Sequence, residues 1–406
     1  MTSKDILVED GKITAIEIAN SIQQKDAEIF DEPNAFVSPG WFDLHVNFRE
    51  PGNEYKEDLV SGSRAALQGG FTGVLVMPST TPSLSDRTHI EYILNRSKEL
   101  PVQLIPAGTL TANREGKDIS EMFDMYNGGV RVFTDDKRPI ADAGLFIRAL
   151  LYSKNFGGKI FSFSDEKSIS AGGQMNEGIV STGLGLKGIP SLAEEVLIAR
   201  DIFLSEYAGT PLHFSTISTA GAVRLIREAK ARGLKVTADV AAINLLLDDE
   251  SLDSFDTNVK VNPPLRTKAD IKALIEGLKD GTIDSISSDH SPEDIEHKKK
   301  EFALAAFGAE GIETAFAVAR TATKSELSVA ELISKFSIHP RLNAGMKAGL
   351  IEAGHDADLT VFNPDLQWKV TDVQIKSKSK NNPFIGRELT GKPLMAICKG
   401  KWHRCA

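Results

Sequence analysis

Short apolar runs and amphipathic stretches alternate along most of the chain. Phe36 to Val46 reads as a strand, and Tyr55 to Leu67 as a helix closed by Gly69-Gly70. Thr72 to Met77 predicts a buried strand, followed by a helix over about 86–100. The pattern repeats with strands at 102–107, 130–134 and 159–163, separated by helices near 118–126 and 141–153. After a long connection, Ser191-Leu-Ala-Glu194 has the spacing of a capping box and opens a helix. Further strands fall at 211–215, 234–240 and 283–288, with helices over 220–231, 268–278 and 313–323. In the 268–278 helix, Ile271, Leu274, Ile275 and Leu278 share one face. Eight strands, each followed by a helix, predict a closed (β/α)8 TIM barrel.

The two ends differ from the middle. Residues 1–38 and 345–406 carry short strands and polar turns, each end with too few strands for a core of its own. They predict one small β-domain made by both termini, with the barrel at 39–344. A chain of 406 residues can bury a barrel of this size. Its net charge of −9 argues against nucleic acid or an anionic membrane as the main partner. No apolar run nears the roughly 20 residues of a membrane span. The N-terminal residues lack the apolar core of a signal peptide, and two cysteines are too few for a disulfide framework. A cytoplasmic protein is expected.

Function in such a barrel sits at the C-terminal strand ends. The candidates there are His45, Asn47 and Arg49, Ser79, Asp135 and Asp136, Phe163 and Ser164, Thr216, Asn262, and Asp289, His290 and Glu293. Alternate residues of the first strand point the same way, which is how a metal-dependent hydrolase sets two histidines. Here that pair is His45 and Asn47. The set is thin for a dinuclear centre, which needs about five or six protein ligands. Lys298-Lys-Lys300 reads as a solvated loop.

Several stretches together resemble the dihydroorotases of the amidohydrolase superfamily, of the type associated with aspartate carbamoyltransferase. They are Pro39-Gly-Trp-Phe-Asp-Leu-His-Val-Asn-Phe-Arg-Glu-Pro-Gly52, Gly69-Gly-Phe-Thr-Gly-Val, Met77-Pro-Ser-Thr-Thr-Pro82, Met175-Asn-Glu-Gly, Ser218-Thr-Ala-Gly, Lys260-Val-Asn-Pro-Pro-Leu-Arg266, Asp280-Gly-Thr-Ile-Asp, Ser288-Asp-His-Ser-Pro292 and Ala357-Asp-Leu-Thr-Val-Phe. The resemblance implies a metal site on His45, Asp135 and Asp289, with Asp289 as general base and Arg49, Asn262, Phe307 and Gly308 as substrate contacts. It also exposes departures. Asn47, Phe163 and Thr216 stand where the family has metal-binding histidines, Ser79 where it has asparagine, and Glu293 where it has histidine.

Phenylalanine cannot bind a metal, and threonine and asparagine are weak neutral donors. Glu293 would repel a substrate carboxylate, and pairing it with Arg49 would close the family's substrate pocket. The expectation is therefore a dihydroorotase-like protein of pyrimidine biosynthesis with a degenerate centre: a pseudoenzyme retained as a structural or regulatory subunit. It is expected to be a homodimer that associates with aspartate carbamoyltransferase and has no resident zinc. The alternative is an active dihydroorotase with one metal on His45, Asp135 and Asp289. A third possibility is a sensor that uses Arg49 and Asn262 without turnover.

Overall fold

The computed structural model describes residues 3–22 and 27–405, so positions 1, 2, 23–26 and 406 of the expected terminal domain lie outside the described residues. Eight parallel strands close a barrel: Trp41–Val46, Phe71–Val76, Gln103–Pro106, Val132–Phe133, Lys159–Phe163, Leu212–Ser215, Val236–Ala241 and Ser285–Ser287. Strands one to three form one continuous ladder and strands four to eight another. Two isolated parallel bridges, Gly108 with Phe133 and Val46 with His290, join the ladders into a ring. At the second seam the Asn47 amide donates to the His290 carbonyl at 2.8 Å. Strand four is two residues long, shorter than its apolar run suggests. Its neighbours supply the rest of that wall.

Phe42, Leu44, Leu75, Val132 and Phe161 fill the barrel interior as one buried cluster. A larger shell packs the helices onto the outside of the strands. Trp41 is the joint to the terminal sheet, its ring 4.5 Å from that of Phe316 and 5.4 Å from that of Phe362. That sheet is antiparallel, in the order Lys401–Arg404, Glu388–Cys398, Leu359–Lys369, Phe36–Pro39. An N-terminal hairpin, Lys4–Glu9 with Lys12–Ile18, meets the C-terminal part through an Ile13 amide donating to the His355 carbonyl at 2.9 Å. No helix among the described residues is long and apolar enough to cross a membrane.

Two local expectations need correction. The helix Ser191–Ala208 has no side-chain cap at its start. Glu194 turns inward instead and accepts from the amides of Ser218 and Thr219 at 2.8 and 3.0 Å, because satisfying buried backbone donors outweighs a cap that water can replace. Lys298 is also not solvated. It is 4% exposed and donates to the carbonyls of Ala306 and Gly308 at 3.0 and 2.8 Å. Burial pushes its pKa down to about 8.

Candidate functional site

Several strand ends break into left-handed backbone where they reach the mouth: Arg49 at φ 64°, Asp136 at 56°, Thr216 at 52° and Asp289 at 51°. Non-glycine residues enter this region at a cost, and clusters of such residues are typical of functional sites. Arg49, Asp136 and Asp289 line one cavity of about 680 Å³. Its lining includes Asn47, Arg49, Ser79, Asn262, Asp289, Glu293, Phe307 and Gly308, so most of the sequence candidates do converge.

The first acid after strand four, Asp135, is one exception. Asp135 faces away from the mouth, accepting from the Leu110 and Thr111 amides at 2.9 and 3.0 Å and from the Thr111 hydroxyl. Asp136 points inward, because the left-handed turn sends consecutive carboxylates to opposite sides. His45 Nε2 lies 2.7 Å from Asp136 Oδ1, and the Ser79 hydroxyl donates to the other oxygen. Any ligand role expected of Asp135 passes on geometry to Asp136.

Two of the departing positions, Phe163 and Thr216, meet at Lys137, which the sequence did not single out. Lys137 Nζ lies 2.8 Å from Asp289 Oδ1, 2.9 Å from Thr216 Oγ1 and 4.7 Å from the centre of the Phe163 ring. Its signal was available, a cation directly after two acids at a strand end. His45 is engaged at both ring nitrogens, with Ser215 Oγ 3.2 Å from Nδ1. Asp289 stands 3.6 Å from His45 Nε2. Burial and Lys137 push the His45 pKa down, but Asp136 and Asp289 outweigh them and raise it. Burial works to raise Asp136, yet His45, Arg114 and Lys137 hold it well below the carboxylate range.

The zinc centre implied by the family does not fit this donor set. One imidazole is already bonded on both sides, and an ammonium stands between Asp289 and Thr216, where it would repel a dication. Among the described residues, donor atoms of Glu293, Asp294 and His297 cluster closely enough for a cation. Glu293, however, is already neutralised by Arg49 at 2.9 Å and Lys56 at 2.6 Å. Arg49 and Glu293 are thus paired, while Asn47 turns to Ser291 Oγ at 3.3 Å.

The far wall is built backward from buried lysines. Lys260 donates to the Phe302 carbonyl at 2.6 Å, and its own carbonyl accepts from the Gly308 amide at 2.9 Å. A Cβ on Gly308, at φ 129°, would sit 2.4 Å from the Ser291 carbonyl, so only glycine lets these loops close. His290 points away from the mouth, between Glu57 at 3.6 Å and Glu310 at 3.5 Å. Burial alone would lower its pKa, but the two acids raise it to about 9. It holds the seam between the first and last strands.

Comparison with known proteins agrees with the geometry of the barrel. A dihydro-orotase-like family model matches residues 35–222. The dihydroorotase of Syntrophus aciditrophicus strain SB is 43% identical over 399 residues, spanning 98% of this chain and 94% of that protein. That of Pelotomaculum thermopropionicum is 44% identical over 400 residues, 98% of this chain and 93% of the other. Among solved structures, the L-hydantoinase (dihydropyrimidinase) of Arthrobacter aurescens superposes with a TM-score of 0.86 at 26% identity, covering 98% of this chain and 92% of that one.

Proposed function

Because the chain belongs to the dihydroorotase family of pyrimidine biosynthesis, we propose that it serves that pathway in the cytoplasm as a non-hydrolytic member, a structural or regulatory subunit. The observation that carries this reading is the Lys137 ammonium, held by Asp289 and Thr216 over Phe163. A hydrolase of this kind needs its water ionised near neutral pH. Bound zinc lowers the pKa of water from 15.7 to about 7, a shift on the order of 12 kcal/mol. Asp289 shared with an ammonium cannot supply it.

Homodimer formation and association with aspartate carbamoyltransferase belong to the same proposal. An exposed apolar stripe on the helix Ser191–Ala208, made of Leu192, Val196, Phe203 and Tyr207, supports a role for the surface. Failure to bind aspartate carbamoyltransferase at micromolar concentration removes that part.

A second reading is favoured by the identity above 40% to proteins named dihydroorotase. Here the chain is an active enzyme that hydrolyses dihydroorotate and cyclises carbamoyl aspartate, with Arg49, Asn262, Phe307 and Gly308 around the substrate. His45, Asp136 and Asp289 would then hold one zinc after Lys137 swings aside. Zinc-supplemented protein assayed in both directions separates the two, with Asp289→Asn as the contamination control. The first reading expects no turnover above the control and less than one zinc per ten chains after dialysis. Turnover with stoichiometric zinc replaces it with the second.

A further inference from the structure

The helix Ser191–Ala208 is apolar on both sides. Its inner side buries Leu197, Ile198, Ile202 and Ala208. Its outer side carries Leu192, Val196, Phe203 and Tyr207 in one stripe, at 54%, 41%, 64% and 77% exposure. Single exposed apolar residues are ordinary, but a helix apolar all round belongs in an interior. Two charges beside the stripe are already paired within their own chain. Arg200 holds Asp201 at 2.7 Å and donates to the carbonyls of Ile140 and Ala141 at 2.8 and 3.0 Å. Glu206 holds Arg232 at 3.2 Å. What suits this face is therefore apolar surface rather than a charged partner.

We infer that a second copy of this chain covers the stripe, helix against helix, across a two-fold axis between residues 199 and 200. The inference rests on the homodimer proposed above and gives it a face and a register. A two-fold contact requires a surface that matches itself, residue i meeting j wherever j meets i. The stripe has that symmetry. Leu192 and Tyr207 lie equally far from the midpoint of residues 199 and 200, and so do Val196 and Phe203. Antiparallel pairing sets Tyr207 against Leu192 of the second copy and Phe203 against Val196, an aromatic ring on an aliphatic side chain each time. Ala199 falls on the same face at the crossing, where backbones come closest and a small side chain fits best. A different protein would need no such internal symmetry.

The area is of the right order. Phenylalanine and tyrosine side chains present roughly 150–250 Å² each, so Phe203 and Tyr207 alone offer roughly 200–350 Å². The helix Ala143–Lys154 lies alongside, tied by Lys154 Nζ donating to the Ala208 carbonyl at 2.9 Å, and adds the exposed Leu151 and Tyr152. With the aliphatic residues and a polar rim, the patch approaches the roughly 800 Å² per partner of a standard interface.

Sedimentation equilibrium of the full chain tests the inference. Wild type is expected to be a two-chain particle at about 20 μM, and Phe203→Glu to raise the dissociation constant by at least about thirtyfold. Phe203 is exposed, so this variant keeps the fold, and Tyr207→Ser provides an independent check. Register is read by oxidising introduced cysteines, with wild type as the control for Cys398 and Cys405. The two copies of position 199 would stand one residue apart along the paired helices, about 1.5 Å, and those of position 192 fifteen residues apart, about 22 Å. Ala199→Cys is therefore expected to give a disulfide-linked dimer and Leu192→Cys none. A dimer that survives both Phe203→Glu and Tyr207→Ser lies on another face, which overturns the inference and leaves the homodimer standing. A wild-type monomer at this concentration overturns both. Linkage through Leu192→Cys rather than Ala199→Cys overturns the two-fold register.

Discussion

Two ionic clusters at the same end of the barrel are built on different physical terms. One is the mouth, with His45, Asp136, Lys137 and Asp289. The other is a knot outside it. There Arg266 donates from Nη1 to Asn176 Oδ1 at 2.9 Å and to the Ile189 carbonyl, and from Nε to Ser218 Oγ at 3.1 Å. Glu194 accepts from the Ser218 hydroxyl and amide and stands 3.9 Å from Arg266. The knot ties together Met175-Asn-Glu-Gly, Ser218-Thr-Ala-Gly and the Lys260–Arg266 stretch, all of which match the family pattern. The departures from that pattern gather in the mouth. Burial dominates both knot partners, raising the pKa of Glu194 and lowering that of Arg266. Neither can lose the other without leaving a buried charge. The mouth opens on a cavity, and a lysine with a flexible stem can stand in for lost partners there. Substitution is tolerated where solvent and side-chain freedom can absorb it.

The largest test of this contrast removes the knot's cation. Arg266→Met strands Glu194, which is 3% exposed, and should cost about 3–5 kcal/mol in urea unfolding at neutral pH. An effect no larger than that of Lys137→Met would erase the distinction.

Next comes a pH dependence of opposite sign in the two regions. Asp201, on the helix that carries Glu194, is buried, and its pKa is raised from 3.8 to about 6 although Arg200 and Ser162 oppose the shift. The folded state therefore binds the proton more tightly than the unfolded one, so this contribution is present below pH 3.8 and is lost as pH rises through about 6. Urea titrations across that window should show wild type losing about 3 kcal/mol relative to Asp201→Asn. Asp136, whose pKa is depressed, should contribute the other way, adding stability above its unfolded value of 3.8 and losing it as pH falls. An Asp136→Asn profile parallel to wild type would contradict that.

Smallest in stability is Lys137→Met, expected to cost about 1 kcal/mol because the lysine is partly exposed and Asp289 borders the cavity. Its sharper readout is metal. With the ammonium removed, His45, Asp136 and Asp289 are free to gather a cation, and Lys137→Met should retain severalfold more zinc than wild type after dialysis. Equal zinc in both would mean that Lys137 is not what holds the mouth shut to metal.

Much of the barrel was legible in the sequence, because buried parallel strands read as apolar runs and their helices carry one apolar face. Strand four was the weak point: its neighbours complete a wall that its own two residues do not. Arg49, Asn262, Asp289, Glu293, Phe307 and Gly308, all singled out through the family resemblance, line one cavity. The site was misjudged between Asp135 and Asp136, since no periodicity reports a residue at φ 56°. The capping box at Ser191–Glu194 misled for a related reason. Its local hydrogen bond competed with a distant one to the amides of Ser218 and Thr219, and only the fold brings those within reach.

By itself the sequence determined the family and placed Asn47, Phe163 and Thr216 where the resemblance implies histidines, both matters of residue identity. The tertiary structure alone decided what gathers around two of them. Lys137 joins positions 163, 216 and 289 at one point. That encounter is set by barrel closure, which brings residues far apart in sequence within a few ångströms. No reading of neighbouring residues contains that information.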